Sequence, residues 1–264
     1  MMHGISRNAR LFMRIQKYDW TSRLAYRLQF IMWVVSSSFS TIVSYAVVTV
    51  IYSVSSGIPG WGYFQLLALS ATANLMYGVS LYFVNPYNTA RSLRTGGIDV
   101  YITKPYNPVL RMLADSGSLL NIGNVAGGVI LLAYAVISLS PSTEAVVAFA
   151  AIFILGLVVA PLFVLFFTIL MYVIFKSGNF INWFLTNVRT AVSYPIGIYG
   201  ILGTLVFTVL LPFGLATFYP SSVLVAKMSY ASMLAVAAFE VALIALFYKG
   251  SMWLIKNHYQ SGGG

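Results

Sequence analysis

The chain has 264 residues, of which 59% are hydrophobic and 8% charged, and its formal net charge is +10. Soluble domains carry about 25% charged residues, so this composition excludes a water-covered globule and places the chain in lipid. It also excludes thiol chemistry, because there is no cysteine for a disulfide or a thiolate metal site.

Six basic residues (Arg7, Arg10, Arg14, Lys17, Arg23 and Arg27) precede the first long apolar run, opposed only by Asp19. Such clusters beside a span mark the cytoplasmic face and anionic headgroups, so no nucleic-acid partner is expected. Residues 1–24 read as an amphipathic interfacial helix. Ile5, Leu11, Phe12, Ile15, Tyr18 and Trp20 fall on one side, with Arg7, Arg10, Arg14 and Lys17 largely opposite. The apolar run that follows starts too late and is too long for a cleavable signal peptide.

Crossing a bilayer core about 30 Å thick takes roughly 20 helical residues. Six runs qualify, at 26–54, 61–84, 118–139, 145–175, 195–214 and 229–248. They predict an all-α membrane protein with six transmembrane helices in a single domain, 26–254. A cytoplasmic tail, 255–264, ends in a linker-like Ser-Gly-Gly-Gly. The first two runs are joined by the uncharged turn 55–60. The third and fourth are joined by Ser140-Pro141-Ser142-Thr143-Glu144, where Ser142 or Thr143 can cap the next helix. With the N-terminus inside, the segments 7–27, 85–115, 176–194 and 249–256 hold 14 of the 15 lysines and arginines, and the external side keeps only Lys227. Both termini are therefore expected in the cytoplasm.

Three features inside the runs stand out. Ser36, Ser37, Ser38, Ser40 and Thr41 either line a polar path or let two helices approach closely. Pro161 can kink the fourth run. Glu240 is the one acid well inside a run, a costly placement that makes it a candidate intramembrane polar site.

Much chemistry is missing. There is no G-x-x-x-x-G-K-[ST] to cradle phosphates, so the chain is not expected to hydrolyse ATP. His3 and His258 lie in the tails and the five acids are scattered. No catalytic residue, cofactor or metal site is expected in this chain. No internal repeat of broken helices is visible, which disfavours an inverted-repeat transporter.

The most specific stretch runs from Arg91 to Leu110 and contains Arg94, Gly96, Gly97, Ile98, Asp99, Tyr101, Ile102, Lys104, Pro105 and Pro108. The two glycines form a hinge. A short helix then places Ile98, Tyr101 and Ile102 on one face, breaks at Lys104-Pro105, and lets the chain re-enter the bilayer after Pro108. This stretch resembles the cytoplasmic loop of ABC type-2 exporter permeases. A later stretch, Pro212 and Gly214 through Tyr219 and Pro220, is similar to the segment between the last two spans of the same family.

The resemblance implies a permease without its own ATPase domain, paired with an identical or related second permease in the plasma membrane. It implies two ATPase subunits beneath, which bind ATP and Mg. The loop at 91–110 would contact them as a coupling helix. The segment 212–228 would fold back into the outer leaflet, where polar backbone must be shielded by protein or face a water-filled cavity. The substrate is left open. From the residues alone, a proton-coupled secondary transporter using Glu240 and a non-transport membrane scaffold stay open too.

Overall fold

A computed structural model describes residues 2–55, 57–104, 106–115, 117–175 and 179–260, with side chains from residue 10 onward except at 179, 180 and 182. Pro105 of the loop and residues 176–178 lie outside the described residues. The described chain is helical throughout and contains no strand.

The first helix, α1 (Met2–Ala25), turns at Tyr26 into α2 (Arg27–Val54). Its half-buried positions are 11, 12, 15, 16, 19, 20 and 23, a helical stripe, while Arg10, Arg14 and Lys17 are exposed. Tyr18 departs from the expected apolar side and is 76% exposed among the basic residues. The inward stripe docks on protein. Gln16 donates to the Ala114 carbonyl (3.1 Å) and accepts from the Tyr82 hydroxyl (2.8 Å), and Trp20 donates to the same hydroxyl (3.3 Å).

Five helical segments are long and apolar enough to cross a membrane. They are α2, α3 (Tyr63–Phe83) with its extension α4 (Pro86–Arg94), α7 (Ile122–Leu139) with a preceding 3₁₀ turn, α8 (Thr143–Phe175), and α12 (Tyr230–Asn257). The α3 and α8 spans form the interior, and α2, α7 and α12 turn most of their surface outward. Ser142 caps α8 by accepting from the Ala145 amide (3.2 Å), as expected. The chain stays helical through Pro161. The last helix runs to Asn257, past the end of the apolar run at 248, and Leu254 and Ile255 are buried.

The serine cluster serves close packing. Ser38 donates to the Gly123 carbonyl (3.3 Å), Ser40 bonds Asn124, and a Cβ on Gly127 would sit 2.7 Å from Thr41 Oγ1. The α2 and α7 backbones can approach only because small residues meet there. On the other side of α7, a Cβ on Gly128 would lie 2.8 Å from Leu75 of α3. Lipid tails are as apolar as leucine, so this close fit and its hydrogen bonds, each about 0.6 kcal/mol, hold such helices together.

The expected fifth span at 195–214 is not a straight crossing. A helix α9 (Asn179–Val192) comes first, and Trp183–Val192 with Ile196–Leu210 form a unit bent by 106°. This pair is either a sixth, broken span or a re-entrant loop. Pro195 causes the break, because it donates no amide and pushes Tyr194 away from helical angles. Gly200 follows with φ +69°, opening the second limb, a one-turn helix α10 (Gly200–Leu205) that widens into a π-turn at Val206–Leu210. Residues 179–194 form a helix packed on the bundle rather than a free loop. The α9 helix buries Ile181, Leu185, Val188 and Val192 against the core, and the Ser70 hydroxyl in α3 donates to the Ser193 carbonyl (3.0 Å).

The loops sort onto two ends. At one end Lys227 donates to the Gly60 carbonyl and lies 3.9 Å from the Trp61 ring centroid, and Tyr230 donates to Glu144 (3.5 Å). Burial lowers the Lys227 pKa. At the other end are α1, α4, the loop that follows, and the C-terminal end of α12.

Candidate functional site

The loop between the second and third spans is three short helices. Asn85 caps α4 by accepting from the amides of Tyr87 and Asn88 (3.0 and 3.2 Å), with Pro86 in the first turn where its missing donor costs nothing. Gly96 then takes φ +71°, closed to most side chains, and swings the chain into α5 (Asp99–Ile102). Gly97 needs no such freedom, so the hinge is one glycine rather than two. Pro108 opens α6 (Pro108–Asp115), which leads back to the bundle.

The expected free apolar face of α5 is divided. Ile98 is fully buried in the core beside Leu93, Val109 and Met112. Tyr101 is half-buried, donates to Asp115, and has the Arg111 guanidinium 5.3 Å over its ring. Burial, with the Asp115 bond second, pushes the Tyr101 phenol up to about 12. It therefore holds α5 on α6 as a neutral donor below pH 10, and the contact is lost only as pH rises toward 12. Sequence spacing places these residues on one face but does not say whether the face turns in or out.

What remains outward is a different set. Val100 is 50% exposed and Ile102 45%, and Arg91, Arg94 and Lys104 of the same loop are also exposed. Asp99 begins α5. The loop is tied to the membrane helices at both ends. The α4 helix packs on α8, and Asn107 donates to the Tyr248 hydroxyl near the end of α12. The loop is thus connected to α8 by packing and to α12 by a hydrogen bond.

At the opposite end, residues 211–217 turn back beside the bent unit and lead into α11 (Phe218–Leu224). Pro212, Phe213, Gly214, Leu215, Ala216 and Thr217 are buried, as are Pro220 to Leu224. Gly214 donates to the Phe207 carbonyl (2.9 Å), and Tyr219 pairs with Thr208 (3.0 Å). The polar backbone of this segment is shielded by protein.

Glu240 lies in α12 with no exposed surface and no hydrogen-bond partner on either oxygen among the described residues. Its neighbours are Gly156 of α8 and Ala216 of the turned-back segment. A Cβ on Gly156 would stand 2.6 Å from Ala216 Cα and 3.2 Å from Glu240 Oε1. Three elements meet at this point, and only a glycine leaves room for the carboxyl.

Sequence reasoning missed Arg189. It counts this residue only among the basic residues of the segment 176–194, whereas the guanidinium sits 4.9 Å over the ring of Tyr77, in the last third of α3. The missed signal is the apolar spacing 181, 184, 185, 188 and 192, a helical stripe inside a stretch whose average polarity hides it.

A family model described as ABC-2 family transporter protein matches residues 39–263. No curated protein and no solved structure matches the chain. The family match spans α2 to the C-terminal end, and the helical bundle has the five crossings plus one bent unit just described. The chain belongs to the ABC-2 family of transporter proteins and is a multi-pass membrane permease component of an ABC transporter.

Proposed function

We propose that the chain is the permease of an ATP-driven exporter in the plasma membrane, working as a dimer with an identical or related permease. Separate ATPase subunits bind ATP and Mg and dock on the loop 86–110. The observation that carries this is the exposed Val100–Ile102 pair on a loop that also exposes Arg91, Arg94 and Lys104 and is anchored to α8 and α12. A cytoplasmic loop exposed to water alone has no reason to present that pair. An acid-rimmed apolar groove on an ATPase would cover it. The positive-inside distribution supports a cytoplasmic loop and cytoplasmic termini. The buried 211–224 segment suits a cap near the outer end of the pathway.

Glu240 weighs against proton coupling. Its carboxyl is sealed between Gly156 and Ala216, and a coupling carboxylate needs a route for protons. The test is transport by the reconstituted permease–ATPase complex under ATP. Transport should persist when an ionophore collapses the proton gradient and should stay within about threefold of wild type in Glu240→Gln. Transport that stops with the gradient while ATP is maintained would replace this reading by a proton-driven one.

A further inference from the structure

The chain folds sharply where its first helix meets its first span. At Tyr26 the backbone leaves helical angles (φ −105°, ψ 64°). Trp20 and Phe30, which a straight helix would hold about 15 Å apart, bring their ring centroids to 6.2 Å. The inside of this elbow is a crevice of about 240 Å³, lined by Asp19, Ser22 and Arg23 of α1 and by Tyr26, Phe30 and Trp33. Leu120, in the 3₁₀ turn before α7, also lines it.

The level of the crevice in the bilayer follows from the length of α2. Its 28 residues, at about 1.5 Å each, span about 42 Å. That exceeds the hydrocarbon core of about 30 Å and matches the 40–45 Å or so that includes both headgroup layers. The first turns of α2 therefore lie among headgroups. Tyr26 and Trp33 are 70% and 45% exposed there, the level at which amphipathic rings sit in membrane proteins.

The lining carries one charge of each sign. Arg23 Nε donates to Asp19 Oδ1 (3.3 Å), and both side chains keep 36% exposure. Among the described residues this is the one hydrogen bond made by the lining side chains, so protein engages neither the second carboxylate oxygen nor the terminal guanidinium nitrogens. The serines deeper in α2 differ, since Ser37 and Ser38 donate to backbone carbonyls. A simple anion in the crevice would meet Asp19, and a simple cation would meet Arg23. A group carrying both charges a few ångströms apart suits both. A phosphate matches the arginine fork, and an ammonium matches a carboxylate set among aromatic rings. At about 30 Å³ per water the space holds roughly eight waters, which is headgroup size rather than drug size.

We propose that the elbow crevice binds the headgroup of a zwitterionic phospholipid, its phosphate on Arg23 and its ammonium at Asp19 among the rings of Tyr26, Phe30 and Trp33. The acyl chains would run along α2, where Ile31, Met32, Val35 and Phe39 are exposed. A soluble phosphoamine carries the same two charges, and this exposed aliphatic surface favours the lipid over it. The proposal needs only that the chain spans a membrane, and does not depend on where an ATPase docks.

The test is native mass spectrometry of the purified chain, delipidated in detergent and offered a phosphatidylethanolamine or a phosphatidylglycerol with identical acyl chains. The two lipids share the phosphate and differ in the ammonium. The net charge of +10 favours the anionic lipid in the absence of a site, so a preference for the zwitterion is diagnostic. Wild type should bind the ethanolamine lipid about tenfold more tightly, the worth of one charge-assisted hydrogen bond. Asp19→Asn should bring the two lipids to equal affinity, and Arg23→Gln should weaken both. Both positions are half-exposed, so the unfolding midpoint of each variant should match wild type. Lys249→Gln, at an exposed cation of α12, should leave both affinities unchanged. Equal affinity of wild type for the two lipids, a preference that survives Asp19→Asn, or an equal loss in Lys249→Gln overturns the proposal. Glycerophosphoethanolamine, the headgroup without its chains, should compete only at about 100-fold higher concentration, because buried methylenes add to lipid affinity. Competition at equal concentration would assign the crevice to a soluble zwitterion and overturn the lipid reading.

Discussion

Val100→Asp combined with Ile102→Asp should abolish ATP-driven transport, by more than about 100-fold, while the protein inserts and unfolds like wild type. Both side chains point away from the bundle, at 50% and 45% exposure, so neither contributes to its core. Covering an aliphatic side chain of this size is worth about 1.5–3 kcal/mol, and each 1.4 kcal/mol is about tenfold in affinity. Losing two such contacts and placing two carboxylates in an apolar groove acts in the same direction. The readouts are ATPase bound to the purified permease, transport rate, and the thermal unfolding midpoint in detergent. Tyr101→Phe is the contrasting variant. It loses the bond to Asp115 but keeps the exposed pair, so it should loosen the loop and reduce transport only modestly.

Gly156→Val should be strongly destabilising. The added Cβ would approach Ala216 Cα to 2.6 Å and Ala216 Cβ to 2.8 Å, and backbone on that side cannot rotate away as a flexible side chain can. Overpacking of this kind costs about 1–3 kcal/mol, and a β-branched side chain reaches beyond the Cβ. It would also press on the sealed carboxyl of Glu240, 3.2 Å from the same point. Gly197→Ala is the control, because nothing lies within 4 Å of its Cβ position. The expected result is a clear fall in unfolding temperature for Gly156→Val and none for Gly197→Ala. Equal behaviour of the two would mean that α8 and the 211–217 segment are not in contact.

The spans α2, α3, α7, α8 and α12 were legible in the sequence because each is a long apolar run ended by Gly, Pro or charge. Hydropathy counts residue types without regard to direction, and the bent unit escapes it for that reason. In α9 the polar side of Asn187, Arg189 and Thr190 cancels the apolar stripe at 181, 185, 188 and 192. The break at Pro195 was written in the sequence, but it separates two halves of one unit rather than a loop from a span. The loop at 91–110 shows the same limit at a smaller scale. Its glycine hinge, short helix and proline restart were legible. Which side of α5 faces the bundle depends on Leu93 and Met112, residues packed against Ile98 from neighbouring elements, and no local pattern encodes that.

The position of the ATPase is the centre of the account, and a native chain without cysteine makes it directly measurable. Ile102→Cys is labelled with a cleavable photo-crosslinker in membrane vesicles whose cytoplasmic face is accessible, irradiated, and the adduct identified by mass spectrometry. The account predicts an adduct with a subunit carrying a P-loop, formed at Ile102→Cys and not at Ser55→Cys, which should react only from the opposite face. Reaction of Ile102→Cys from the external face, or irradiation of a transport-active complex that leaves Ile102→Cys attached to no P-loop subunit, would contradict it.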